Sequence, residues 1–66
     1  MLSKLQLYGA ARLVLNVEEG VTDEEDLGFL YFLLNSLGVS RADLDVLLCG
    51  QWDPDKIDAA IWNESQ

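Results

Sequence analysis

Along this chain apolar residues recur at intervals of three and four. The recurrence is broken at Gly20, Gly38 and Gly50, each followed within three residues by a side chain able to cap a helix. The pattern predicts four helices, over about 3–19, 23–37, 41–49 and 54–63, joined by short turns. In the first, Leu7, Ala10, Val14 and Val17 share a face opposite Arg12 and Asn16. Leu13 to Val17 also alternates as a short strand would, so that segment keeps two readings, of which the helix is adopted.

The second segment, Thr22 to Gly38, combines a helix start with the densest apolar run in the chain. Thr22 and Glu25 have capping-box spacing, in which the hydroxyl accepts from a first-turn N–H and the carboxylate reaches back to the amide of the cap. At helical spacing Leu27, Leu30, Tyr31, Leu34 and Leu37 fall on one side, and Phe29, Phe32 and Leu33 on the other. A helix apolar nearly all round is a buried one, so this helix is expected at the centre of the fold. In the third segment Ser40 and Asp43 repeat the box spacing, Val39 and Leu44 have the spacing of a hydrophobic staple, and Leu44, Leu47 and Leu48 form the core face. In the fourth, Asp53 caps, Pro54 takes the first helical position, Trp52 and Ile57 repeat the staple, and Ile57, Ala60 and Ile61 face inward. The expected architecture is all-α, a compact four-helix domain of residues 1–66 with short loops, a central second helix and three helices around it.

Charge changes the functional picture more than the fold. Half of the sixty-six residues are apolar, yet the net charge is −8. A chain this short buries only about 60% of the surface its unfolded form exposes, so its core is thin. High charge with high hydrophobicity is a globular composition with an acidic skin, not a disordered one. Such a skin repels nucleic acid and anionic membranes and attracts basic partners. The single cysteine, Cys49, allows no intrachain disulfide and fits a reducing cytoplasm. The longest apolar run, Leu27 to Leu34, is too short to span a bilayer, and the N-terminus lacks the apolar core of a signal peptide. A soluble, unprocessed cytoplasmic protein is expected.

Candidate chemistry is sparse. Glu18, Glu19, Asp23, Glu24, Glu25 and Asp26 place six carboxylates within nine residues around the first connection. Helix capping accounts for Asp23, Glu24 and Glu25. It does not account for Glu18 and Glu19, at the negative end of the first helix, which leaves a patch for a basic partner as the alternative to a solvated cap. Asp53, Asp55 and Asp58 resemble calcium ligands in spacing, but Pro54, Lys56 and Ile57 break that pattern, and capping is the better reading. With no histidine and one cysteine, neither a zinc site nor an activated nucleophile can be assembled from the usual parts. Neither catalytic residues nor a cofactor or metal are expected.

Leu33, Leu37, Gly38, Val39, Leu44 and Leu47 stand where a helix-turn-helix motif has its turn glycine and the apolar residues joining its two helices. Leu33 to Leu48 therefore resembles the core of that motif, which implies a helix-turn-helix-like pair made by the second and third helices. Leu34 departs from the small residue usual at its position. The helix that would enter the groove carries Arg41, Asp43 and Asp45 where basic and amide side chains are wanted. A dimeric DNA-binding regulator is thus the alternative reading, with nucleic acid the less expected partner.

The leading expectation comes from surplus apolar surface. Phe29, Phe32 and Leu33 form a back face on the second helix; Ala42, Val46 and Cys49 form a second stripe on the third, beside Asp45; and Trp62 lies off the inward stripe of the fourth. Contiguous apolar surface beyond what a thin core absorbs marks an interface. Those residues, with Arg41, Glu18 and Glu19, are the candidate partner-binding set for a homo-oligomer or for a protein partner carrying a basic patch; a monomer that buries this surface itself is the alternative. In size and charge the chain is similar to immunity proteins, antitoxins and phage-encoded inhibitors, an analogy implying a regulator or inhibitor. A structural assembly subunit is the third reading.

Overall fold

Ser3 starts the first helix with a reciprocal pair. Its hydroxyl accepts from the Gln6 N–H at 3.2 Å, and the Gln6 side-chain oxygen accepts from the Ser3 N–H at 2.9 Å, in the computed structural model, which describes residues 3–21 and 23–66. Helix α1 runs Lys4–Glu19, so the strand alternative for Leu13 to Val17 falls away. It ends at Gly20, whose φ of 74° lets the Gly20 N–H reach the Val17 carbonyl at 3.1 Å and the Val21 N–H reach the Asn16 carbonyl at 3.0 Å. Two carbonyls that helix termination would orphan are thereby paired.

Helix α2 runs Glu24–Tyr31 and continues as a π-helical turn, Phe32–Ser36. The expected cap, Thr22, lies outside the described residues, and the capping bond belongs to its neighbour. The Asp23 carboxylate accepts from the Asp26 N–H at 2.9 Å, which puts Glu24, Glu25 and Asp26 in the first turn, where the helix dipole favours them. Helix α3 runs Arg41–Leu47 behind the expected Ser40–Asp43 box, with bonds of 3.1 and 3.0 Å. The Ser40 N–H and then its hydroxyl hold the Asp43 carboxyl below its usual pKa. The helix stops short of residue 49 because Cys49 and Gly50, at φ 53° and 73°, both turn left-handed, and the Gly50 N–H closes onto the Asp45 carbonyl at 3.0 Å. Helix α4 runs Pro54–Glu64, capped by the Asp53 carboxylate on the Asp55 N–H at 2.9 Å.

The four helices and the absence of strands among the described residues match the all-α expectation. The hub does not: α1 packs against α2, α3 and, most extensively, α4. The buried core is Ala10, Ala11, Val14 and Leu15 of α1 with Leu30, Leu33, Val39, Leu44 and Ile57 from the rest of the chain. Ala10 and Ala11 leave room for a close neighbour. They carry little apolar area, so the sequence pattern underrates them. The buried stripe of α1 is accordingly rotated from the expected one, and Val17 falls at its exposed edge.

The second helix is not buried all round. It commits Leu30 and the π-turn residue Leu33 to the core, while Phe29, Tyr31, Phe32 and Leu37 are about half exposed. A π turn closes i→i+5 bonds and advances less per residue than an α turn. Leu37, expected in line with Leu30, therefore swings out of the core face. Val39 and Leu44 are both buried, as the staple spacing requires. No helix among the described residues is long and apolar enough to cross a membrane.

Candidate functional site

Because α2 gives the core only one edge of its apolar surface, a cleft opens between it and the last turns of α1. Its volume is about 250 Å³. Val14 and Val17 of α1 face Leu27, Leu30, Tyr31 and Leu34, and the Glu18–Arg41 ion pair is its polar part. Phe29 and Phe32, three residues apart, are about half exposed on the same helical segment but line neither cleft. A smaller cleft of about 150 Å³ lies between α1, α3 and α4, where the Lys56 ammonium donates to the Gln51 side-chain oxygen at 2.8 Å.

The polar end of the larger cleft is organised by Trp52. The Arg41 guanidinium lies over the Trp52 ring at 4.9 Å from its centroid and pairs with Glu18, and the Trp52 indole N–H donates to the Asp45 carboxylate at 2.9 Å. Glu18 stands in the last turn of α1 and Arg41 at the first position of α3, each at the end of its helix where its charge is unfavourable. Pairing one with the other offsets both penalties. Arg41 and Asp45, one turn apart on α3, are thus tied to a tryptophan that the sequence pattern marks only as a staple residue, and Arg41 in turn holds the distant Glu18.

The other expected site residues divide sharply. Leu33 is 1% exposed and belongs to the core, a correction to its place on a partner-binding face. Leu33 stands three residues after the buried Leu30 and follows it onto the same helix face, while Phe29 and Phe32 remain outside. Ala42 and Val46 are exposed on α3, Val46 at 77%, Cys49 is exposed in the turn that follows it, and Trp62 is 69% exposed on α4; none of these lines either cleft. Glu19 is exposed at the end of α1. Leu27 and Tyr31, expected inside a second helix buried nearly all round, line the cleft and join the candidate surface. The missing signal was tertiary, since α2 packs against α1 along one edge only.

Most of the cationic inventory is engaged within the chain. Arg12 donates from Nε to Asp58 at 2.9 Å and from a terminal nitrogen to Asn16 at 3.0 Å, which also gives Asp58 a structural role in place of the calcium-like one. With Arg41 on Glu18 and Lys56 on Gln51, three of the four basic side chains hold intrachain partners. Against models of known protein families, curated proteins and solved structures, the chain matches none.

Proposed function

We propose that this chain is a small acidic protein–protein interaction module, a regulator or inhibitor that covers a basic and apolar surface of a partner protein. The observation that carries this reading is the open apolar cleft beside α2, lined by the half-exposed Tyr31 with Val14, Val17, Leu27, Leu30 and Leu34, on a chain of net charge −8. At about 250 Å³ the cleft falls below the roughly 300–1,000 Å³ of small-molecule sites. It suits one or two side-chain anchors, and a few anchors in desolvated pockets carry most of the energy of a protein interface. Carboxylates around such a pocket contribute on-rate and selectivity.

Two observations weigh against the other readings. DNA affinity comes mainly from cations meeting phosphates, and Arg41, the one basic side chain of α3, is engaged by Glu18 and Trp52. Self-association, whether as a homo-oligomer or an assembly subunit, would bring a charge of −8 against −8, a repulsion that exposed apolar residues such as Val46 must first overcome. A heterologous basic partner faces no such term. A reducing compartment such as the cytoplasm suits the exposed Cys49 thiol.

The test is affinity purification of tagged chain from its own cells, with nuclease treatment and mass spectrometry. The reading expects a stoichiometric protein partner with a basic surface, retained after nuclease. Recovery of nucleic acid, or of proteins lost on nuclease treatment, would contradict it.

A further inference from the structure

We propose that the α1–α2 cleft takes the apolar side of a cationic amphipathic helix presented by the partner protein. This rests on the interaction-module reading above and specifies its site and the chemistry of its ligand. The walls of the cleft are two helices, and its α2 wall runs from Leu27 to Leu34, about two turns or roughly 10 Å at ~1.5 Å per residue. Over that length a partner helix repeats its apolar positions at i, i+3 or i+4, and i+7, the spacing by which helices anchor in grooves. An added strand would need an open sheet edge, and the described residues contain no sheet. A polyproline segment needs an aromatic-lined groove, whereas Tyr31 is the one aromatic residue among Val14, Val17, Leu27, Leu30 and Leu34.

Charge selects among helices. The cleft begins beside Glu18 in the last turn of α1 and Leu27 in α2, so the connection carrying Glu19, Asp23, Glu24, Glu25 and Asp26 flanks one end of it. The first-turn carboxylates Glu24, Glu25 and Asp26 are exposed, and Asp26 immediately precedes Leu27 of the cleft wall. A helix with leucine-like anchors on one face and lysine or arginine on its flanks satisfies both surfaces at once. A second copy of this chain does not, since it brings twelve acidic residues against four basic ones, and anionic lipid or nucleic acid is repelled by the same carboxylates.

The experiment titrates the full isotope-labelled chain, at physiological salt, with a synthetic helical peptide of leucine and lysine whose leucines recur at helical spacing. Two control peptides replace all lysines by glutamate or all leucines by serine. Amide shifts are expected at Val17, Leu27, Tyr31 and Leu34, with neither control binding. Tyr31→Glu, at a half-exposed position that leaves helical circular dichroism unchanged, should weaken binding at least about tenfold. Shifts confined to Ala42, Val46 and Trp62, binding of the serine peptide as tightly as the leucine one, or binding of the glutamate peptide would overturn the proposal. So would a wild-type dimer by light scattering that Tyr31→Glu dissociates, because a second copy would then fill the cleft. Should Tyr31→Glu capture the cellular protein partner as well as wild type does, the cleft assignment fails while the interaction-module function stands. Absence of any protein partner for wild type overturns both.

Discussion

Arg41 stacks on Trp52 with 4.9 Å between guanidinium carbon and ring centroid, so the first residue of α3 is held by the turn that leads into α4. Trp52 is held in turn by Asp45. The Arg41 and Glu18 side chains are 59% and 44% exposed, which limits their ion pair to about 0–1 kcal/mol, and an exposed cation–π contact contributes about 0.5–1 kcal/mol. Arg41→Ala should therefore destabilise by about 1 kcal/mol in urea unfolding followed by circular dichroism. Arg41→Lys should recover only part, because an ammonium lacks the planar face that stacks on indole. A loss near zero for Arg41→Ala would mean that the stack does not form in solution.

Leu33, Leu44 and Ile57 are the largest fully buried side chains. Leu33→Ala or Leu44→Ala should cost about 2–5 kcal/mol, a large part of the total of about 3–10 kcal/mol expected for this length. Leu34→Ala should cost less, since Leu34 is only partly buried against the core and lines the open cleft. Ala10→Leu at the α1 centre should cost about 1–3 kcal/mol through overpacking. Thermal melts of the four variants test the order. Equal losses for Leu33→Ala and Leu34→Ala would restore the picture of a second helix buried all round.

The local rules of the fold were legible, and the tertiary ones were not. Ser40 with Asp43, Pro54 behind Asp53, and the three left-handed glycines follow from chemistry confined to one turn, and they place the helix starts within a residue, although α3 ends at Leu47 before the expected 49 and the second helix turns π-helical at Phe32. What escaped were relationships between distant segments. Ala10 and Ala11 are the centre of the hub yet weigh little in any hydrophobic pattern, so the Leu-rich second segment looked central. The π turn breaks the period on which a helical projection depends, so Leu37, just beyond it, leaves the face of Leu30, whereas Leu33 follows Leu30 inward at ordinary helical spacing. Around the candidate site, Glu18, Arg41 and Asp45 could be picked out by type, but nothing in the sequence tied Arg41 and Asp45 to Trp52 or Glu18 to Arg41.

Capping of α2 by Asp23 distinguishes two neighbouring carboxylates. Asp23→Ala should cost about 1 kcal/mol, whereas Glu25→Gln should cost at most a few tenths, the size of its interaction with the helix dipole. In a Thr22–Glu25 capping box Glu25 would matter as a cap partner, so a larger loss for Glu25→Gln than for Asp23→Ala in thermal melts would reverse the assignment.

The lowered pKa of Asp43 gives a pH dependence of definite sign. A carboxyl whose pKa is depressed on folding contributes stability that is fully present above the ordinary value of 3.8 and is lost as pH falls through the lower folded value. The difference in melting temperature between wild type and Asp43→Asn should therefore be largest near neutral pH and shrink as pH falls below 3.8. A difference that stays constant across this range would show that Ser40 binds the neutral and ionised carboxyl equally.

The most direct measurement is the affinity of the purified partner for wild type, Tyr31→Glu and Val46→Glu, by titration calorimetry at low and at physiological salt. Tyr31 lines the cleft, whereas Val46, at 77% exposure, stands on α3 outside it. The predicted result is a protein partner whose binding weakens as salt rises, falls at least about tenfold with Tyr31→Glu, and is unchanged by Val46→Glu. Binding indifferent to Tyr31→Glu but abolished by Val46→Glu, or duplex DNA bound in place of a protein, would contradict it.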